Sequence, residues 1–181
     1  DAVDYLLQAC EGLAQAHVLG IVHRDLKPGN LFMTQRGDGS VCIKVLDFGI
    51  SKLGQGDGGG GQALTMAGAI LGSPRFISPE QLANTGKVDL RTDIWALGAV
   101  LHELLSGQAA FGADTIGELC FSILNDDPVP LATVRHDVPP GLSAVVARCL
   151  IKEPAGRFQN VAELACALAP FGSGHAASSV E

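Results

Sequence analysis

With 181 residues, 47% of them apolar, the chain is long enough to enclose one sizeable core and too apolar to stay disordered. A net charge of −7 and an isoelectric point near 5.1, without a basic cluster, exclude the electrostatic footprint of a nucleic-acid binder. The longest apolar run, residues 94–105, is too short to span a bilayer and carries His102 and Glu103, so no membrane contact is expected from this segment.

In chain order, residues 1–19 place Val3, Leu6, Leu7, Cys10, Leu13, Ala14 and the pair His17 and Val18 at the spacing of one helical face, with Gly20 suited to close the helix. Ile21 and Val22 then read as a short buried strand. Residues 31–34 and 41–45 read as two strands, joined by the turn-forming residues 35–40. That hairpin carries Asn30 at one end and Asp47 at the other, which brings two distant side chains to one rim. Residues 51–62 are glycine-rich and predict a flexible loop. Residues 93–106 are apolar on nearly every face, the pattern of a buried helix, with Gly107 at its end. Residues 115–124, 141–150 and 160–168 predict three further amphipathic helices, punctuated by Pro128, Pro130, Pro139, Pro140 and Pro154. The fold class is mainly α with a small β-hairpin: one domain over residues 1–170 and a flexible tail over 171–181. The five cysteines share no metal-ligand spacing and read as reduced core thiols in a cytoplasmic protein. The first residue is Asp1 and no charged-then-apolar leader follows it, so the sequence reads as part of a longer chain.

The chemistry concentrates in residues 21–30, I-V-H-R-D-L-K-P-G-N, where Asp25, Lys27 and Asn30 lie within six residues. Transfer of a phosphoryl group to a hydroxyl needs positioning, a cation and an acceptor for the hydroxyl proton. Asp25 suits the acceptor. Asn30 and Asp47 supply hard oxygen ligands suited to magnesium. Lys27 can meet a phosphate as a point charge. Each residue alone would pass as a turn residue beside a strand; the combination carries the reading.

Three motifs in this order, His23-Arg24-Asp25 with Lys27 and Asn30, then Asp47-Phe48-Gly49, then Ser78-Pro79-Glu80, resemble the catalytic loop and the two ends of the activation segment of protein kinases. The resemblance implies the kinase fold, ATP and magnesium as cofactors, and a protein substrate. Lys27 resembles the serine/threonine-specific branch, and the motif wording resembles the bacterial members. It implies that Phe32 lies beneath adenine and that His23 and Phe48 pack the two loops together. It implies that Ser73 contacts the catalytic residues and that Glu80 pairs with Arg157. Asp93 is implied to hold the catalytic-loop backbone, and Arg24 to receive a phosphate on Thr65. The match covers only the C-terminal lobe: the glycine-rich phosphate loop and strand lysine have no counterpart, and the glycines at 54–61 follow Asp47 and cannot serve as one. The isolated chain is therefore expected to be inactive and poorly soluble, with Phe32 and Phe48 facing water. A docking module without turnover is the alternative. A small-molecule kinase is disfavoured by residues 72–80, which resemble a peptide-receiving segment.

Overall fold

The computed structural model describes residues 1–48, 74–83 and 88–173. The first helix, α1 (Ala2–Val18), buries Val3, Leu6, Leu7, Cys10 and Leu13 along one face. It ends in a left-handed glycine: Gly20 has φ 73°, its N–H reaches His17 O at 3.0 Å, and the Ile21 N–H reaches Ala16 O at 2.9 Å. This double closure satisfies the last helical carbonyls. It also explains why Ile21 and Val22 form no strand, contrary to the sequence expectation. The Ile21 N–H belongs to the helix end, and its side chain is partly exposed.

Two antiparallel strands follow, β1 (Leu31–Gln35) and β2 (Val41–Val45), in the register Leu31 to Val45, Met33 to Ile43 and Gln35 to Val41. Asp38 closes the connecting turn by accepting from the Ser40 N–H at 2.9 Å and its hydroxyl at 2.7 Å. The hairpin is fastened to α1 by the Ile43 N–H, which donates to Gln8 Oε1 at 3.0 Å. Beyond it lie α2 (Pro79–Leu82), α3 (Arg91–Ser106), α4 (Ile116–Asn125), α5 (Leu131–Val134), α6 (Pro140–Cys149) and α7 (Val161–Leu168). The four-residue α2 and α5 are absent from the sequence reading, since one turn is too short to show a period.

The buried helix α3 is the centre. Ile94, Trp95, Leu97, Val100 and Leu101 are enclosed by α1, α6 and the connecting turns. Its last turn emerges, leaving Leu104 exposed. Gly98 lets α6 approach closely: a Cβ there would stand 2.3 Å from Cys149 Cβ. Trp95 stacks on Phe111 with centroids 5.5 Å apart. Lys152 lies 4.1 Å from the Phe111 centroid and donates to Ile123 O at 2.7 Å, which caps the end of α4. Burial pushes its ammonium below the usual lysine range.

Two sequence expectations change here. Residues 171–173 are docked: Phe171 packs against Gly141, and the Ser173 N–H donates to Asp4 Oδ1 at 2.7 Å. Residues 174–181 lie outside the described ones. All five cysteines are free, but only Cys10 and Cys149 are core thiols; Cys42 and Cys120 are half-buried and Cys166 is exposed. Burial pushes the Cys10 thiol up to about 12 and raises that of Cys149 further. Among the described residues no helix is long and apolar enough to cross a membrane.

Candidate active site

The loop of residues 21–30 is held from beneath by α3. Asp93, wholly buried, accepts the His23 N–H at 2.9 Å through Oδ2 and the Arg24 N–H at 2.9 Å through Oδ1. The sequence reading anticipates this grip. It misses the third partner, His17, whose Nε2 donates to Asp93 Oδ2 at 2.8 Å. Position 17 falls in the last turn of α1 and reads in sequence as part of an apolar face. A buried carboxylate needs such donors, because desolvation without them is costly.

His23 ties this loop to the stretch after β2. Its Nδ1 accepts the Asp25 N–H at 3.3 Å, so its Nε2 carries the proton and donates to Leu46 O at 2.8 Å. Its ring lies 4.8 Å from that of Phe48. The Leu46 N–H donates to Asn30 O at 2.9 Å. Asp47 is thus flanked on both sides by residues tethered to the loop. The expected packing role of His23 and Phe48 is present; Phe48 is half-buried against the core and does not face water as expected. Arg24 (φ 65°) and Asp47 (φ 55°) are the two non-glycine residues with left-handed backbones among the described residues. Such strain persists only where the surroundings enforce it.

Within the loop, Lys27 Nζ donates to Asp25 Oδ2 at 2.8 Å. Asn30 Nδ2 donates to the Asp25 carbonyl at 2.8 Å and approaches its carboxylate at 3.4 Å. The amide nitrogen being engaged, the Asn30 side-chain oxygen is the atom left for a cation. Asp25, Lys27 and Asn30 are therefore joined on one loop, and the Leu46 N–H bond to Asn30 O brings the backbone next to Asp47 to the same end of the hairpin. Phe32 stands two residues beyond Asn30, opposite Lys44 and 54% exposed.

A second cluster lies deeper. Glu80 receives Arg157 through both oxygens, Nη1 to Oε1 and Nη2 to Oε2, each at 2.8 Å. Arg157 is completely buried and also donates to the carbonyls of Ile151, Lys152 and Arg91 at 2.7, 2.8 and 3.1 Å. Thr92 Oγ1 donates to Glu80 Oε1 at 2.7 Å. Burial alone would push the Glu80 carboxyl up; the hydrogen bonds from Arg157 and Thr92 outweigh it and hold it below the usual glutamate range. Gln81, to which the sequence reading gives no role of its own, links this cluster to the loop by donating to Arg24 O at 2.8 Å. Thr65, Ser73 and Gly49 lie outside the described residues.

A loop carrying a carboxylate, a lysine and an amide, gripped by a buried aspartate and followed through a hairpin by a second aspartate, is the arrangement that protein kinases share. The chain belongs to the protein kinase family, whose description, protein kinase domain, matches residues 1–167. It is 36% identical over 163 residues to serine/threonine-protein kinase PknB of Mycolicibacterium smegmatis, covering 90% of this chain and 25% of that protein. It is 38% identical over 166 residues to serine/threonine-protein kinase Pkn1 of Myxococcus xanthus, covering 92% of this chain and 23% of that protein. The PknB of Mycobacterium tuberculosis is 34% identical over 163 residues, with 90% and 25% covered. The chain thus spans about a quarter of the length of these relatives.

Proposed function

We propose that residues 1–170 are the C-terminal lobe of a cytoplasmic serine/threonine protein kinase domain, which transfers the γ-phosphate of ATP to hydroxyls of a protein substrate. The observation that carries this reading is the Asp25–Lys27–Asn30 cluster, with Lys27 at 2.8 Å from Asp25, on a loop locked to Asp93. In the proposal, Asp25 orients the substrate hydroxyl and takes its proton, and Lys27 meets the transferring phosphate. Asn30 and Asp47 would hold magnesium. Two hard oxygen donors on one rim fit that ion, which takes one or two protein ligands and fills its shell with phosphate oxygens and water. Bound there, the metal neutralises charge on the phosphates.

Phe32 and Met33, both more than half exposed on β1, fit an apolar rim that adenine and an upstream lobe would cover. Alone, the chain would then be inactive, with nothing to clamp the nucleotide. Arg24 Nε is buried without a hydrogen-bond partner among the described residues, which suits a role in receiving phosphate on Thr65. Ser73 would contact Asp25 and Lys27 as the peptide binds. The test is radiolabel transfer from ATP to a generic protein substrate by the complete kinase. Loss of transfer in Asp25→Asn supports the assignment; transfer at the wild-type rate refutes it.

A further inference from the structure

Arg24 has a left-handed backbone immediately before Asp25, and two side chains hold its two polar backbone atoms. Its N–H donates to Asp93 Oδ1 at 2.9 Å, and its carbonyl accepts from Gln81 Nε2 at 2.8 Å. Gln81 is itself fixed at the start of α2. Its Oε1 accepts from the Ser78 N–H and the Ser78 hydroxyl, both at 3.2 Å. The Ser78 hydroxyl lies 3.2 Å from Thr92 Oγ1, which donates to Glu80. Polar contacts therefore reach from the buried Arg157 through Glu80 to Thr92 on one side, and from Ser78 through Gln81 to the peptide unit that carries Asp25 on the other, the two hydroxyls lying side by side where they meet.

We infer that Gln81 is a positioning residue for phosphoryl transfer: its amide nitrogen holds the Arg24–Asp25 peptide in place and so aims the Asp25 carboxylate. The inference rests on the role proposed for Asp25 above. The two ends of the Gln81 amide have separable duties. Capping α2 uses only its oxygen, and a glutamate at this helix position caps equally well. The nitrogen contributes nothing to the cap; its partner is the loop. A left-handed arginine would relax toward the ordinary helical or extended regions if one of its two restraints were removed.

Gln81→Glu separates the duties. It keeps the capping oxygen, deletes the donor and sets a carboxylate oxygen against the Arg24 carbonyl. Gln81→Met deletes both polar atoms without adding charge. In the complete kinase, each variant is expected to lower kcat by roughly tenfold, the size of one buried hydrogen bond expressed as a rate, with KM for ATP within about twofold of wild type. Amide hydrogen exchange at Asp25 is expected to accelerate in both. A cap alone would move neither the kcat-to-KM split nor that single amide. Wild-type kcat together with unchanged exchange at Asp25, in either folded variant, overturns the inference. If the wild-type kinase transfers no phosphate, the functional reading fails instead, and exchange at Asp25 still decides whether Gln81 holds the loop.

Discussion

Two carboxylate–cation pairs in this molecule have the same separation and opposite surroundings. Asp25 and Lys27 meet at 2.8 Å with side chains 40% and 29% exposed; Glu80 and Arg157 meet at 2.8 Å with side chains 8% and 0% exposed. The distance therefore says nothing about the role. At the rim, water screens the pair, and both groups stay free to exchange partners. In the interior, every Arg157 donor group is matched by an oxygen, and neither member can leave without stranding the other. The first arrangement suits chemistry and the second suits anchoring.

The contrast can be broken in four ways, the largest expected effect first. Asp25→Asn in the complete kinase should lower kcat by roughly 10²–10⁴, the range for a positioned general base, while its urea midpoint barely moves. A large stability loss would mean that the rim pair is structural after all. Removing one member of the inner pair, as in Arg157→Met or Glu80→Gln, should cost about 3–5 kcal/mol of folding stability. A double-mutant cycle in denaturant checks it, and purely additive single effects would show that the two charges are not coupled.

Gly98→Ala tests the same core without touching a charge. Its Cβ would fall 2.3 Å from Cys149 Cβ, so α3 and α6 must separate, at a cost of about 1–3 kcal/mol. Thermal unfolding would read it, and a wild-type midpoint would show that the helices have slack. The smallest effect is that of pH. The folded Glu80 carboxyl sits below its ordinary value, so the unfolded chain binds that proton more readily. Its stabilisation is then complete above about pH 4.3, the ordinary glutamate value, and fades as pH falls through the lower folded value. The stability gap between wild type and Glu80→Gln should therefore narrow on acidification; a gap constant from pH 7 to pH 3 would contradict the sign.

Sequence by itself determined the order of the elements and the grouping of their polar residues. The spacing of Asp25, Lys27 and Asn30 put three functional groups on one short loop, and the two strand patterns carried Asp47 to the same rim. The all-round apolar pattern of residues 93–106 announced a buried helix, and the kinase resemblance supplied the pairing of Glu80 with Arg157 across 77 positions. Those features survive because they rest on local periodicity or on motifs whose wording is itself the signal.

Only the tertiary structure decided which ordinary-looking residues complete the network. His17 reads as one more face residue of α1 until α3 brings Asp93 within 2.8 Å of it. Gln81 has no role in the sequence beyond the wording of its motif until the loop's carbonyl arrives at its amide. Ile21 and Val22 have the composition of a strand, yet the Ile21 N–H is taken by the helix before it. Phe171 and Ser173 read as tail until α1 and α6 offer them a surface. In each case the partner lies far away in sequence or in a competing local closure. Periodicity records which face of an element is apolar, but the identity of the group that meets that face is fixed only when distant elements pack.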